Sequence, residues 1–579
     1  SYIISQGEYK ADIMVLHPSS STWTEYDVLN DNNSGLEKIS DSIKGLVRTL
    51  CQSGYLFDLG DDIIIERHGK IEDGKFVVGN GRYSTIILPD MTVMRETNLI
   101  LLREFVQSGG RIIATGTIPS LLDGDYNKEL VDFFSGDYVI NCCINDIIDV
   151  LCASNHERIL VEDLDGRRVQ DIYTHKRIAG DKQIVFLCNY SREKKYEMRL
   201  QIEPTIGKIE SWDPTSGERK ELFAYVKDDK RYVDLIFYPS GSHLLIMDEG
   251  SPACMESGFR STIKALIKEL KLNDWEVNRK DYNALTINRC SISIDNGQWT
   301  EPNNVVAIHD NIRKQLGLDE SNIFAPQPWT YTQEERDRFF SLKARYTFKL
   351  MEEITGAIRL AAESSDLFTV SVNGNIVKTH DSTYKDRAFQ VYDIKDYIVV
   401  GENEIVLSTD RYGVLSSIES IYIIGDFKVK PVNGEFAIWE EDNISLGDWT
   451  QTGYPFYSGK MVYHQNFKIE EDLSSDKCVQ LTLDGLWGIA FRIFVNGKEA
   501  GILGWKPYEL DIIQYLKTGN NKIEIEVMNS LQNLLGPHDY QEIEGIITPG
   551  SFYSDKMIKF TKSGFSGVAS IRVYSKQQK

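Results

Sequence analysis

The residues best suited to chemistry in this chain are aromatic, and they gather in its last quarter. Trp449, Tyr454, Phe456 and Tyr457 lie in a segment punctuated by Gly453, Pro455 and Gly459. Trp487, Trp505 and Tyr508 flank strand-like runs beyond it, and His538 follows Pro537. An aromatic face covers the apolar side of a pyranose ring, while amides, carboxylates or an imidazole take its hydroxyls. On this ground Trp449, Tyr454, Phe456, Tyr457, Trp505, Tyr508 and His538 are candidate carbohydrate-binding residues. The competing reading is packing. Trp487 and Trp505 belong to strands, where a large ring normally fills a core, and His538 fits a hydrogen-bonded structural histidine. For Tyr454, Phe456 and Tyr457 the glycines and proline leave both readings open.

Other chemistries find less support. Hydrolysis of a glycoside needs two carboxyl groups about 5.5 Å apart for retention, or roughly 6.5–9.5 Å for inversion. With 86 acidic residues some pair is close by chance, so no catalytic pair is nominated. The nine histidines show no ligand spacing, and the eight cysteines include no Cys-x-x-Cys. A zinc site and a disulfide scaffold are both disfavoured, and scattered cysteines in apolar strands suit a reducing, cytoplasmic setting. No G-x-G-x-x-G follows the first strand, and Gly109-Gly110 enters a strand rather than a helix, against a dinucleotide site. The segments 31–35 (Asp-Asn-Asn-Ser-Gly) and 162–166 (Glu-Asp-Leu-Asp-Gly) lack the ligand spacing of a calcium loop and read as turns. A net charge of −22 without a basic block argues against nucleic acid. No apolar run approaches the roughly 18 residues of a membrane span. The first residues carry no signal-peptide pattern and read like a chain entered midway.

The positioning elements fall into blocks, and 579 residues are too many for one core. Up to about residue 155 apolar strands alternate with helices. Strands are expected at Asp12–Leu16, Ile63–Glu66, Thr85–Leu88 and Arg111–Thr115, with helices at Leu36–Cys51 and Asn98–Gln107. That rhythm implies a parallel sheet covered on both faces. From Glu157 to about 250 the pattern is all β, with turns at Asp165-Gly166 and Ser216-Gly217. Glu256–Lys271 carries helical spacing, and a boundary falls near 272. A duplication follows. Val372-Asn373-Gly374 and Gly401-Glu402-Asn403-Glu404-Ile405 recur as Val495-Asn496-Gly497 and Gly519-Asn520-Asn521-Lys522-Ile523, so one β module occurs twice.

The order Val495–Lys498, Gly504/Trp505/Pro507, Asp511-Ile512, Gly519–Val527 resembles the galactose-binding-like jelly roll accompanying family 2 glycoside hydrolases. Asn533-Leu534-Leu535-Gly536-Pro537-His538 is similar to large hydrolases resembling the family 106 α-L-rhamnosidases. The phrase from Ile86 to Gly116 resembles the flavodoxin-like domain that follows the barrel in several glycosidases, distantly related to class I amidotransferases. Where an amidotransferase carries its nucleophile this chain has Pro89-Asp90-Met91, so a structural domain is implied. The resemblance implies a multidomain, mainly β chain. A flavodoxin-like α/β domain occupies 1–155 and a small β-sandwich 156–252. A linker helix with strands and a first galactose-binding-like jelly roll occupy 253–430, and a second jelly roll 431–579.

The same resemblance implies the C-terminal part of a glycoside hydrolase, α-L-rhamnosidase-like, acting on plant or microbial glycans. Its catalytic (β/α)8 barrel would lie elsewhere in the parent chain or on a separate subunit, because too few strand–helix units precede residue 150. Carbohydrate is the expected ligand. No cofactor is called for, although the jelly-roll resemblance allows a structural calcium. Two rivals stand beside this reading: a stand-alone carbohydrate-binding protein, and a complete glycosidase with its site at a domain junction.

Overall fold

The computed structural model describes residues 2–27, 34–154, 156–203, 206–249, 265–315, 317, 329, 331–363, 366–474, 477–538 and 559–575. It is mainly β and multidomain. Two compact units are present: Ser1–Ser261 with Trp505–Pro507, and Thr262–Gly504 with Tyr508–Lys579.

The first unit begins with five parallel strands: β1 (Ile13–Leu16), β2 (Phe57–Gly60), β3 (Thr85–Leu88), β4 (Arg111–Ala114) and β5 (Val139–Asn141). Their order across the sheet is 2-1-3-4-5. Alternation along each strand builds two cores at once. Met14, Leu16, Ile86, Leu88 and Ile112 face Leu99, Leu102 and Phe105 of helix α1 (Glu96–Gln107). Ile13, Val15, Ile87 and Ile113 face Leu46 and Leu50 of helix α2 (Ser34–Gln52), on the opposite side. A sheet buried on both faces reads as unbroken apolar runs, which is why β1, β3 and β4 were legible; β2 and β5, partly exposed and less apolar, were not expected from the sequence.

Ile63–Glu66 is not the strand expected. It lies in a helix, Asp62–His68, started by Asp61, whose carboxylate accepts from Ile63 N and Ile64 N. Three consecutive isoleucine-rich positions cannot distinguish a buried strand from one helical turn, and the aspartate cap decides it. Besides two small three-stranded sheets, the first unit holds a sandwich of a four-stranded and a five-stranded antiparallel sheet, spanning Val161–Asp163 to Ser242–Asp248.

The second unit holds two further sandwiches. One pairs the sheet containing Asn283–Ile287, Ile421–Gly425 and Ile358–Ala362 with an eight-stranded sheet built on Phe340–Leu350 and Gly401–Tyr412. The other pairs Ala265–Leu272, Gly564–Ser575 and Lys477–Trp487 with Glu276–Arg279, Lys460–Ile469, Gly519–Met528 and Ala490–Val495. Ala265–Leu272 therefore corrects the expected helix Glu256–Lys271 over its last residues; 256–264 lie outside the described residues, as do 31–33 of the segment 31–35. Its periodicity is overridden by pairing against Gly564–Ser575. The boundary at 430/431 is also redrawn. Two strands of the last sandwich come from before the first one, so that module is inserted into it.

The duplication is visible at atomic level. Asn373 and Asn496 both adopt positive φ, 48° and 50°, ahead of a glycine. Asn373 Nδ2 donates to Asn403 Oδ1 at 2.9 Å and Asn496 Nδ2 to Asn521 Oδ1 at 2.8 Å. In return Asn373 Oδ1 accepts from Glu404 N, and Asn496 Oδ1 from Lys522 N. Asn403 and Asn521 each donate to two backbone carbonyls of the preceding loop. One asparagine pair thus fastens a hairpin to the loop entering the long central strand, in both copies.

Candidate functional site

The aromatic segment lies where the last sandwich meets the inserted one, and it points inward. Trp449 is 0% exposed and donates from Nε1 to Tyr463 Oη at 2.7 Å. Its ring meets Tyr457 edge-on at 5.4 Å. Phe456 stands edge-on to Phe436 and Phe560, both at 5.0 Å, and to His538 at 5.4 Å, and joins the core of the inserted sandwich. His538 donates through Nε2 to Asn533 O at 2.9 Å, and burial lowers its pKa. Trp449, Tyr454, Phe456, Tyr457 and His538 are all buried, so the expectation of an exposed aromatic loop is corrected to packing. Glycine and proline here shape a segment wedged between sandwiches, where two cores supply the apolar surroundings. Tyr508 is half-buried, edge-on to Phe491 at 5.1 Å. Trp487 is half-buried beneath Lys562, whose Nζ lies 4.5 Å from the ring centre. Trp505 is 54% exposed, and of the seven nominated residues it offers the open ring.

Behind the wedge lies a charge network that sequence reasoning did not anticipate. Arg279, at the end of Glu276–Arg279, donates from Nε to Glu441 Oε1 at 3.0 Å and from a terminal nitrogen to Asp426 Oδ1 at 2.9 Å. It also reaches the Asp281 carbonyl. Tyr454 Oη donates to the same Glu441 Oε1 at 2.9 Å, and Asp281 Oδ2 accepts from Lys460 N at 2.9 Å. Burial alone would lower the Arg279 pKa, but Glu441 and then Asp426 outweigh it and hold the guanidinium charged. Burial, with Glu441 beside it, raises Tyr454 and keeps it neutral. Every group named here has a partner, so the network fixes geometry rather than waiting for a substrate.

Two other places hold residue types suited to catalysis. At the carboxyl edge of the parallel sheet, His17 Nδ1 bonds Ser19 Oγ at 2.8 Å, whereas Asp62 accepts from Ser20 Oγ at 2.7 Å and from Asn98 Nδ2 at 2.8 Å. Serine, histidine and aspartate are present but wired as two separate pairs, unlike a triad. Asp90, in the turn after β3, accepts from Thr117 N at 2.8 Å and pairs with Lys38 at 3.2 Å. Desolvation would raise its pKa, but Thr117, Ser42 and Lys38 bring it below the ordinary value. It is a settled carboxylate. Glu363 and Glu419 are pushed the other way, first by desolvation, then by Asp386 at Glu363 and by Glu363 at Glu419, although Glu419 keeps an exposed face. The cavity they line with Phe368 and Leu407 is about 10 Å³, enough for about one water and not for a sugar. Among the described residues no group of three or more His, Cys, Asp or Glu is disposed to hold a metal ion.

No described protein family matches the chain. It is 36% identical over 84 residues to a putative beta-glucuronidase of Formosa agariphila, a match covering 14% of this chain and 7% of that protein. Among solved structures, a rhamnosidase from Novosphingobium sp. PP1Y aligns with 98% of this chain and 39% of its own, at 15% identity and a TM-score of 0.46. A beta-galactosidase from Bacillus circulans sp. alkalophilus aligns over 42% of each chain at 11% identity, TM-score 0.28. The matched regions span less than half the length of each of these proteins.

Proposed function

We propose that this chain is the accessory part of a glycoside hydrolase, α-L-rhamnosidase-like, that presents glycans of plant or microbial origin to a catalytic (β/α)8 barrel outside it. The observation that carries the reading is the 36% identical stretch shared with a putative beta-glucuronidase. The architecture supports it. The 2-1-3-4-5 strand order is that of flavodoxin-like domains, and the duplicated, asparagine-fastened sandwiches suit galactose-binding-like jelly rolls. In this reading Trp505 is the sugar-facing platform, and the buried aromatics hold the two sandwiches of the second unit in register. The test is turnover of aryl α-L-rhamnoside, β-glucuronide and β-galactoside by the purified chain, alone and mixed with a separately expressed barrel. Turnover only in the mixture supports the proposal. Hydrolysis by the chain alone, abolished by changing one of its own carboxylates, overturns it and favours a complete enzyme.

A further inference from the structure

A groove of about 480 Å³ opens on the α/β domain between helix α1 and helix α3 (Lys128–Phe134). Its floor is aromatic. Phe133 is buried, and Tyr138, 42% exposed, leans on it at 5.2 Å with the rings tilted by 44°. Arg103 reaches over the Phe133 ring at 5.9 Å. Gln107, Glu129 and Asp132 complete the rim. Gly136 matters to this shape, because a Cβ there would stand 2.5 Å from the Tyr138 ring and displace it.

We propose that this groove is a binding subsite for a neutral pyranose. The volume falls within the range of small-molecule sites, about 300–1,000 Å³. The Tyr138 face offers an apolar platform, and the guanidinium, amide and carboxylates around it offer donors and acceptors at several heights, as a ring of hydroxyls requires. Arg103 and Glu129 stand 3.6 Å apart, a loose pair that leaves hydrogen-bonding capacity on both. Glu129 and Asp132 together outweigh Arg103, which disfavours a phosphate or a uronate and selects an uncharged ring. From the preceding proposal this takes only that the chain meets glycans.

The experiment is saturation-transfer NMR on the intact chain with methyl α-L-rhamnopyranoside and methyl β-D-galactopyranoside as probes. Transfer to ring protons of at least one probe is expected. Tyr138→Ala and Glu129→Gln should each cut it at least fivefold, and Tyr138→Phe should retain it. Gly136→Ala, which moves the ring without removing a ligand group, should weaken it too. Transfer that survives both Tyr138→Ala and Glu129→Gln but disappears in Trp505→Ala overturns the groove while leaving glycan presentation by the sandwiches intact. No transfer from either probe overturns the groove as well.

Discussion

His309 lies in helix α4 (Val305–Gln315), 4% exposed, with neither ring nitrogen hydrogen-bonded among the described residues. Burial first, then the Arg313 charge one turn on, lowers its pKa from 6.5 to about 4. The imidazole is neutral in the folded protein at pH 7, and in the unfolded chain it takes a proton below about 6.5. Between these values the unfolded state binds more protons, so stability falls as pH falls. By pH 5 this one group costs about 2 kcal/mol, rising to about 3 kcal/mol below pH 4. His309→Leu removes the titration and two unsatisfied nitrogens while keeping an apolar volume in the same core. It should be neutral or stabilising at pH 7.5, and at pH 5 it should exceed the wild type by about 2 kcal/mol more than it does at pH 7.5. Urea-dependent hydrogen exchange of peptide 305–315 reads the difference locally, without requiring the whole chain to unfold in two states. With a slope of about 3 kcal/mol/M the gap corresponds to about 0.7 M urea. If wild type and variant lose stability in parallel from pH 7.5 to 5, His309 is not buried neutral and the reasoning fails.

Three further outcomes are expected. Asn373→Ala and Asn496→Ala should each cost about 2 kcal/mol, through equivalent lost bonds in the two sandwiches, and markedly unequal losses in urea melts would break the equivalence. Arg279→Ala should cost about 2–3 kcal/mol through its lost charge-assisted hydrogen bonds to Glu441 and Asp426, and a melt within about 0.5 kcal/mol of wild type would contradict the network. Tyr454→Phe, which strands one lone pair of Glu441, should cost about 1–2 kcal/mol and leave glycan binding per folded molecule unchanged; weakened binding at unchanged stability would return this segment to a ligand-facing role.

What the sequence revealed of the fold depended on how local the determinant was. Met14–Leu16 and Ile86–Leu88 alternate between two cores, and a run apolar on both faces needs no partner to be recognised as a buried strand. The Asn-Gly turns were legible because positive φ selects those residue types at two adjacent positions. Ala265–Leu272 was not, since its exposed residues include Leu266 and Ile267, whose spacing also fits a helix. Only Gly564–Ser575, almost three hundred residues on, makes it a strand. The same long reach hid the insertion of one sandwich in the other.

The candidate site was legible in composition and not in direction. Tyr454, Phe456 and Tyr457 carry the residue types of a sugar platform, and glycine and proline around them mark a segment without regular structure. That segment was equally suited to wrap a junction, and burial was decided by Tyr463, Phe436 and Phe560, none of them adjacent to it in sequence. The Arg279 network left no motif, because its members come from four separate segments: 279–281, 426, 441 and 454–460. Its chemistry nevertheless explains the direction the loop takes. The guanidinium is kept charged by Glu441 and Asp426, and the Tyr454 hydroxyl donating to the same Glu441 ties the loop inward to this network. The aromatic loop therefore covers one side of this ion-pair network, and the glycan contacts proposed above fall instead to rings that stay exposed, Trp505 and Tyr138 among them.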